Sequence, residues 1–224
     1  MAVTDEAIVK IKDMIVSGKL APGERLPPEK ELSEELGISR SSLREAVKAL
    51  SVIRVLDVRR GDGTYVTSLD PGMLLEAMSF VVDLHQDDSV LEIFAVRRML
   101  EPQAAHLAAR TAGPEDVAAL DALIDGLADD PDIEDLVAHD VEFHSALAGS
   151  TGNTYLTSLL DTLSGHTVRA RIWRGITEGG SVSRTIDEHR AIVDALRAQD
   201  PELAQALMIA HVAGVERWLR GAAG

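Results

Sequence analysis

Gly37 is the residue that most restricts what this chain can fold into, because it separates two short amphipathic stretches that only a tight reversal can join. Upstream, Pro28 suits a first helical turn, where a missing N–H costs nothing. Leu32 and Leu36 then fall four apart on one face, and Gly37 supplies a left-handed stop. Downstream, Ser39 is a good N-cap for a second helix, in which Leu43, Ala46, Val47 and Leu50 recur at helical spacing. Arg40, Arg44 and Lys48 follow at i, i+4 and i+8, with Ser41 beside them, on the side left for solvent or a ligand. Two short helices joined by a glycine-containing turn, the second with a basic face, predict a helix-turn-helix.

A hairpin follows. Val55–Val58 and Thr64–Val66 are β-rich runs around Arg59-Arg60-Gly61-Asp62-Gly63, a turn with two glycines and two arginines. A surface helix with a solvated charged face would account for the second helix alone. Helix, turn, capped helix and basic wing in that order favour a winged reader of DNA. Before it, residues 4–17 read as a helix capped by Thr4, with Ile8, Ile11, Ile15 and Val16 facing inward.

A net charge of −15 sits badly with phosphate contacts until the chain is divided. Residues 1–67 hold 11 Lys plus Arg against 11 Asp plus Glu, which leaves 11 basic and 26 acidic residues to the remainder. All five lysines lie at or before Lys48. The neutral head has a locally basic edge, while the acidic remainder repels non-specific DNA. With no cysteine there is no disulfide framework, and no apolar run reaches the roughly 18 residues of a membrane span. Without a signal peptide's apolar core at the N-terminus, a cytoplasmic protein with no membrane partner is expected.

Ser68–Gly72 reads as the boundary between a domain at 1–67 and a second at 73–224, since Pro71 and Gly72 interrupt both patterns. From residue 73 the chain reads as helices over 73–84, 88–112, 114–128, 132–149, 153–175, 182–199 and 201–221. Gly113-Pro114, Pro131, Gly152-Asn153, Gly179-Gly180 and Asp200-Pro201 punctuate them. The expected fold is mainly α: a winged helix-turn-helix followed by an antiparallel all-helical bundle.

Within that bundle Asp140 and His144 are i and i+4 and leave one face of their helix. His189 and His211 flank the Asp200-Pro201 break at matching distances, roughly 15 Å from the turn at 1.5 Å per residue. Together they make a plausible N₃O set for a divalent ion. Hydrogen-bonded core histidines and a helical ion pair would explain the same spacings. His85, His106 and His139 show no such pattern and read as surface or core residues, while His166, Arg169 and Arg171 are further pocket candidates.

Two resemblances sharpen this. Residues 5–66 resemble the DNA-binding head of the GntR family of bacterial regulators. The matching residues are Gly18–Pro28, Glu29–Leu32, Ile38–Ala46 and Arg60–Val66. The family usually has glycine where this chain has Arg54, so the exit of the recognition helix must be strained or end differently. Residues 73–221 resemble the FCD effector domain that defines the FadR subfamily, through Arg97–Glu101, Ala108-Ala109, Asp140–His144, Gly152-Asn153, Glu188-His189 and His211.

The resemblance implies that Asp140, His144, His189 and His211 hold a divalent metal, zinc foremost, with nickel, manganese or iron compatible. A small carboxylate effector would complete its coordination. Members that bind fatty acyl-CoA lack this set. Arg97 stands where the family places a pocket residue and would clamp a carboxylate, the alternative being a surface salt bridge with Glu101. Ser39, Arg40, Ser41, Ser42 and Arg44 would face the major groove of double-stranded DNA. Lys30, Arg59, Arg60 and Gly61 would contact backbone or minor groove. A homodimer on a pseudo-palindromic operator is expected, with repression the commoner outcome in the family. The alternatives are a metal-dependent hydrolase or lyase using the Asp/His₃ set, and a sensor acting through a protein partner.

Overall fold

A computed structural model describes residues 3–72, 89–128 and 131–222, so the helix expected over 73–84 and His85 lie outside the described residues. The chain divides into two compact units, Met1–Ala77 and Met78–Gly224.

The first unit contains α1 (Val3–Val16), α2 (Glu29–Leu36), α3 (Arg40–Val52), β1 (Leu56–Arg59) and β2 (Gly63–Val66). Helix α1 begins at Val3, so Thr4 lies inside it instead of preceding it. Its buried stripe is Ala7, Ile11 and Met14, at i, i+4 and i+7, with Ile8 and Ile15 half-buried beside them. Val16 is an exception to the expected inward face: it is 76% exposed, two residues round the helix from Met14 and therefore on the far side. Pro28 flanks α2 as its N-cap residue, and α2 ends in Gly37 at φ 63°, the left-handed conformation that a Cβ would strain. Ser39 caps α3 by accepting from the Ser42 N–H. Leu32, Leu43, Ala46 and Leu50 pack with Leu20, Leu26, Leu56 and Val66 in one core, each leucine contributing on the order of 1.5–3 kcal/mol.

β1 and β2 pair antiparallel, Leu56 opposite Val66 and Arg59 opposite Gly63. The N–H groups of Gly23 and Leu26 donate to the Val66 and Thr64 carbonyls, and Val66 donates to Glu24, so the 23–26 segment lies along the free edge of β2. There the Arg25 guanidinium donates to the Asp62 carbonyl and lies over Gly63, where a Cβ would collide with it. Arg54 takes φ 60°, a strained conformation costing about 1–2 kcal/mol for a residue with a Cβ. The Val55 N–H donates to the Leu50 carbonyl, and Thr67 Oγ1 donates to the Arg54 carbonyl at 2.7 Å; both hold the bend that glycine would take freely.

The second unit is helical: α4 (Ser89–Thr111), α5 (Pro114–Asp125), α6 (Ile133–Gly149), α7 (Thr154–Thr177), α8 (Ser181–Arg197) and α9 (Pro201–Ala222). Starts are set locally. Asp132 accepts from the Asp135 N–H, Asn153 from Leu156 and Asp200 from Leu203. α9 packs against α4 and α8, and α6 against α7. The core between them is built on Phe94, Phe143, Leu147, Ile192, Leu196 and Met208. Trp173 on α7 meets Trp218 on α9 edge to face, ring centroids 5.3 Å apart. No described helix is long and apolar enough to cross a membrane.

Candidate metal centre and nucleic-acid interface

Three helices converge on one point inside the second unit. α6 brings Asp140 and His144, α8 brings His189 and α9 brings His211, and one ligand atom from each lies within 4.8 Å of the other three. All four residues are buried, His189 completely. The α8–α9 reversal at Asp200-Pro201 puts the His189 and His211 rings 4.9 Å apart, and Phe143 stacks on His189 at 3.8 Å, fixing its plane.

What aims the imidazoles is the atom behind each one. His144 Nδ1 faces Glu101 Oε2 at 3.0 Å, and His211 Nδ1 faces Glu188 Oε2 at 2.7 Å. His189 Nδ1 faces His139 Nε2 at 3.3 Å. A carboxylate behind Nδ1 holds the proton there and turns the Nε2 lone pair to the front. His144 Nε2 and His211 Nε2 consequently meet at 3.1 Å, and His189 Nε2 lies 3.3 Å from Asp140 Oδ1 yet has no hydrogen-bond partner among the described residues. Two ligands about 2.1 Å from a common ion stand roughly 3.0–3.4 Å apart at right-angled to tetrahedral geometry. Lone pairs crowded at that separation, with an orphaned buried nitrogen among them, fit a divalent cation.

The electrostatics of Asp140 and His189 agree. Burial opposes charge on Asp140, but Arg171 and His144 outweigh it and hold the carboxyl well below its usual range. Burial pushes His189 down to about 3, leaving it neutral and able to donate a lone pair. For His144, burial is overcome by Glu101 and Asp140, which raise its pKa. Glu101 is buried too, and Arg97 and His144 keep it ionised.

Beside the cage lies a cavity of about 30 Å³, lined by Asp140 and His211 together with Arg171, Arg174, Thr185 and the apolar Leu136, Val137 and Val215. Arg97 is not in that lining. The alternative, a salt bridge with Glu101, is formed but buried and not on the surface, 2.5 Å long with Arg97 2% exposed, and the Arg97 Nη1 donates to Thr167 at 2.9 Å. The reason is that both residues face the bundle interior from α4. Of the three pocket candidates on α7, Arg171 lines the cavity, Arg169 is exposed, and His166 is half-buried outside the lining. His139, which shows no partner pattern in sequence, supports His189. His106 is half-buried on α4, its Nδ1 without a partner among the described residues. Glu101, Glu188 and His139 are supports that spacing does not single out, although Glu101 and Glu188 stand within the motifs quoted above.

In the first unit, Arg40, Ser41 and Arg44 are exposed on α3 and Ser42 is half-buried. Ser39 Oγ lies 2.9 Å from Ser41 Oγ and 2.8 Å from Ser42 Oγ, a hydroxyl cluster at the helix start. Lys30, Arg59, Arg60 and Gly61 are exposed on α2 and the wing. Arg44 is loosely matched by Glu29 at 3.7 Å, and Arg59 pairs with Asp57 at 3.0 Å while lying over Tyr65. These contacts are the exposed, low-cost kind that an anionic partner displaces.

Sequence and structure comparisons agree with both halves. Residues 4–66 match the family model described as bacterial regulatory proteins, gntR family, and residues 92–214 match the FCD domain. The chain is 30% identical over 223 residues to the galactonate operon transcriptional repressor of Escherichia coli, covering 97% of this chain and 96% of that protein. It is 32% identical over 214 residues to the HTH-type transcriptional regulator LutR of Bacillus subtilis, covering 93% and 97%. Among solved structures, a GntR protein of Streptococcus agalactiae superposes with a TM-score of 0.72 at 29% identity, over 96% of this chain and 99% of the other.

Proposed function

This chain belongs to the GntR family of transcriptional regulators, in its FadR-like branch with an FCD effector domain, and from that premise we propose that it is a cytoplasmic, homodimeric repressor released from its operator by a small carboxylate bound at a metal site. It is a regulator and not an enzyme, as its families and relatives are. The observation that carries the effector half is the cage. Asp140, His144, His189 and His211 would hold the ion, zinc foremost, with Glu101, Glu188 and His139 behind the imidazoles. When bound, the ion supplies a Lewis-acidic anchor for one carboxylate oxygen. Arg171 and Arg174 line the adjoining cavity and would receive the rest of the anion, while Arg97 reaches the cage through Glu101.

On the DNA side, Arg40 and Arg44 suit guanine edges, and Ser39, Ser41 and Ser42 suit bases or phosphate. Lys30, Arg59, Arg60 and Gly61 would hold the backbone or the adjacent minor groove. Two copies of this head on one pseudo-palindrome require a dimer. With residues 68–72 as the linker expected from sequence, effector binding that shifts the body's helices would alter the spacing of the two heads.

The test titrates the zinc-loaded chain onto a duplex from the region upstream of its own gene, with and without galactonate, the acid after which the E. coli relative is named. The expected result is a several-fold rise in the operator Kd. An unchanged Kd across small carboxylates would remove the effector reading, and a monomer by sedimentation that still fills a full operator would remove the symmetry.

A further inference from the structure

Asp140 faces two different neighbours with its two oxygens. Oδ1 looks into the cage, 3.3 Å from His189 Nε2, 3.7 Å from His144 Nε2 and 3.8 Å from His211 Nε2. Oδ2 is ion-paired with Arg171, which is 7% exposed. Arg171 does not depend on that pair for its position. Its Nη2 donates to the Ser164 carbonyl at 2.6 Å and to Ser164 Oγ at 3.0 Å, about two turns back on the same helix. Its Nε is buried with no partner among the described residues. A cation entering the cage would therefore find a second, anchored cation across a single carboxylate, in a site with little water to screen them.

The charge count is lopsided. Arg97 is answered by Glu101, and Arg174 by Glu178 at 2.5 Å. Among the described residues, Asp140 is the carboxylate ion-paired with Arg171, and it would have to answer a divalent ion as well. Glu188, behind His211, is partly solvent-exposed and screened. The cavity that opens beside Asp140 and Arg171 is where an anion would restore the balance. Arg171 also ties up Oδ2, which leaves Asp140 one oxygen for the ion and keeps coordination positions open. We propose that Arg171 makes the cage conditional, weakening it for a metal ion alone and strengthening it when a carboxylate enters the cavity alongside. This rests on the metal reading and goes beyond it: metal and effector would report each other's presence, with reciprocal effects on affinity.

The experiment measures zinc affinity of the full-length chain against a competing chromophoric chelator, with and without sodium acetate as the carboxylate probe. For the wild type, acetate is expected to tighten zinc at least about fivefold, the lower end of typical coupling between sites. Arg171→Gln should bind zinc alone more tightly than the wild type does and lose most of the acetate effect. Arg171→Lys, which keeps the charge, should keep the coupling. A wild type that binds zinc equally with and without acetate overturns the proposal and leaves the metal site standing, and so does an Arg171→Gln chain with weakened zinc binding and intact helical circular dichroism. No zinc binding under either condition overturns both. Should Arg171→Gln fail to fold, Arg171→Met takes its place under the same criteria, and a wild type indifferent to acetate still overturns the proposal.

Discussion

In the head, Arg40, Arg44, Arg59 and Arg60 are exposed, and the carboxylates near Arg44 and Arg59 are surface groups at 3.0–3.7 Å. In the body, Arg97, Arg171 and Arg174 are 2–7% exposed, and each is matched to a specific carboxylate. The same side chain is used in opposite ways. The head's guanidiniums keep their hydration until a polyanion replaces it, so their effect is salt-dependent and largely additive. The body's have lost their water on folding, so each depends on its partner and removal of one leaves another buried and unanswered. Substitutions in the body should therefore act on the fold and the ion together, and those in the head on operator binding alone.

The largest expected effect comes from His144→Ala combined with His211→Ala. Two of four donors are lost, and metal content by elemental analysis should fall to background while operator binding without effector stays within a few-fold of wild type. Full metal content would refute the cage. Next is Phe143→Ala, which opens the body's core and frees the ring of His189. Loss of a buried phenylalanine costs about 3–5 kcal/mol, read by urea denaturation, and metal retention should weaken in the same protein. Arg44→Ala should cost about 1–3 kcal/mol of specific operator affinity with no change in urea stability of the body. A wild-type operator Kd would remove Arg44 from the groove. The smallest effect is Ser39→Ala, which loses the cap of α3 and should lower the head's stability by about 1 kcal/mol, measured by thermal melting.

The same contrast explains what could be read from the sequence. The head is built from local signals, each within a few residues of the structure it specifies. Gly37, Ser39 and the Leu43–Leu50 stripe all appear where they were expected, and the deviations are small shifts at Thr4, Pro28 and Val16. The body's described helices were equally legible from spacing and punctuation. The matching of His189 with His211 across Asp200-Pro201 was legible too, because a helical hairpin converts sequence distance into height. What escaped was tertiary. Whether Arg97 and Glu101 form a surface pair or a buried one depends on which way α4 is rolled, and spacing along one helix is the same in both cases. Arg171 meets Asp140 from 31 residues away on another helix, and His139 reaches His189 from 50, separations at which no periodicity connects them.

The tryptophans at positions 173 and 218 carry a practical consequence. They are the chain's full complement of indoles and they touch, so intrinsic emission arises from a single place in the body. Trp173 precedes Arg174, which lines the cavity beside the cage. Excitation at the red edge of the indole band, where Tyr65 of the DNA-reading unit does not absorb, thus offers a spectroscopic window on that cavity, and a titration followed this way needs neither a dye nor an operator.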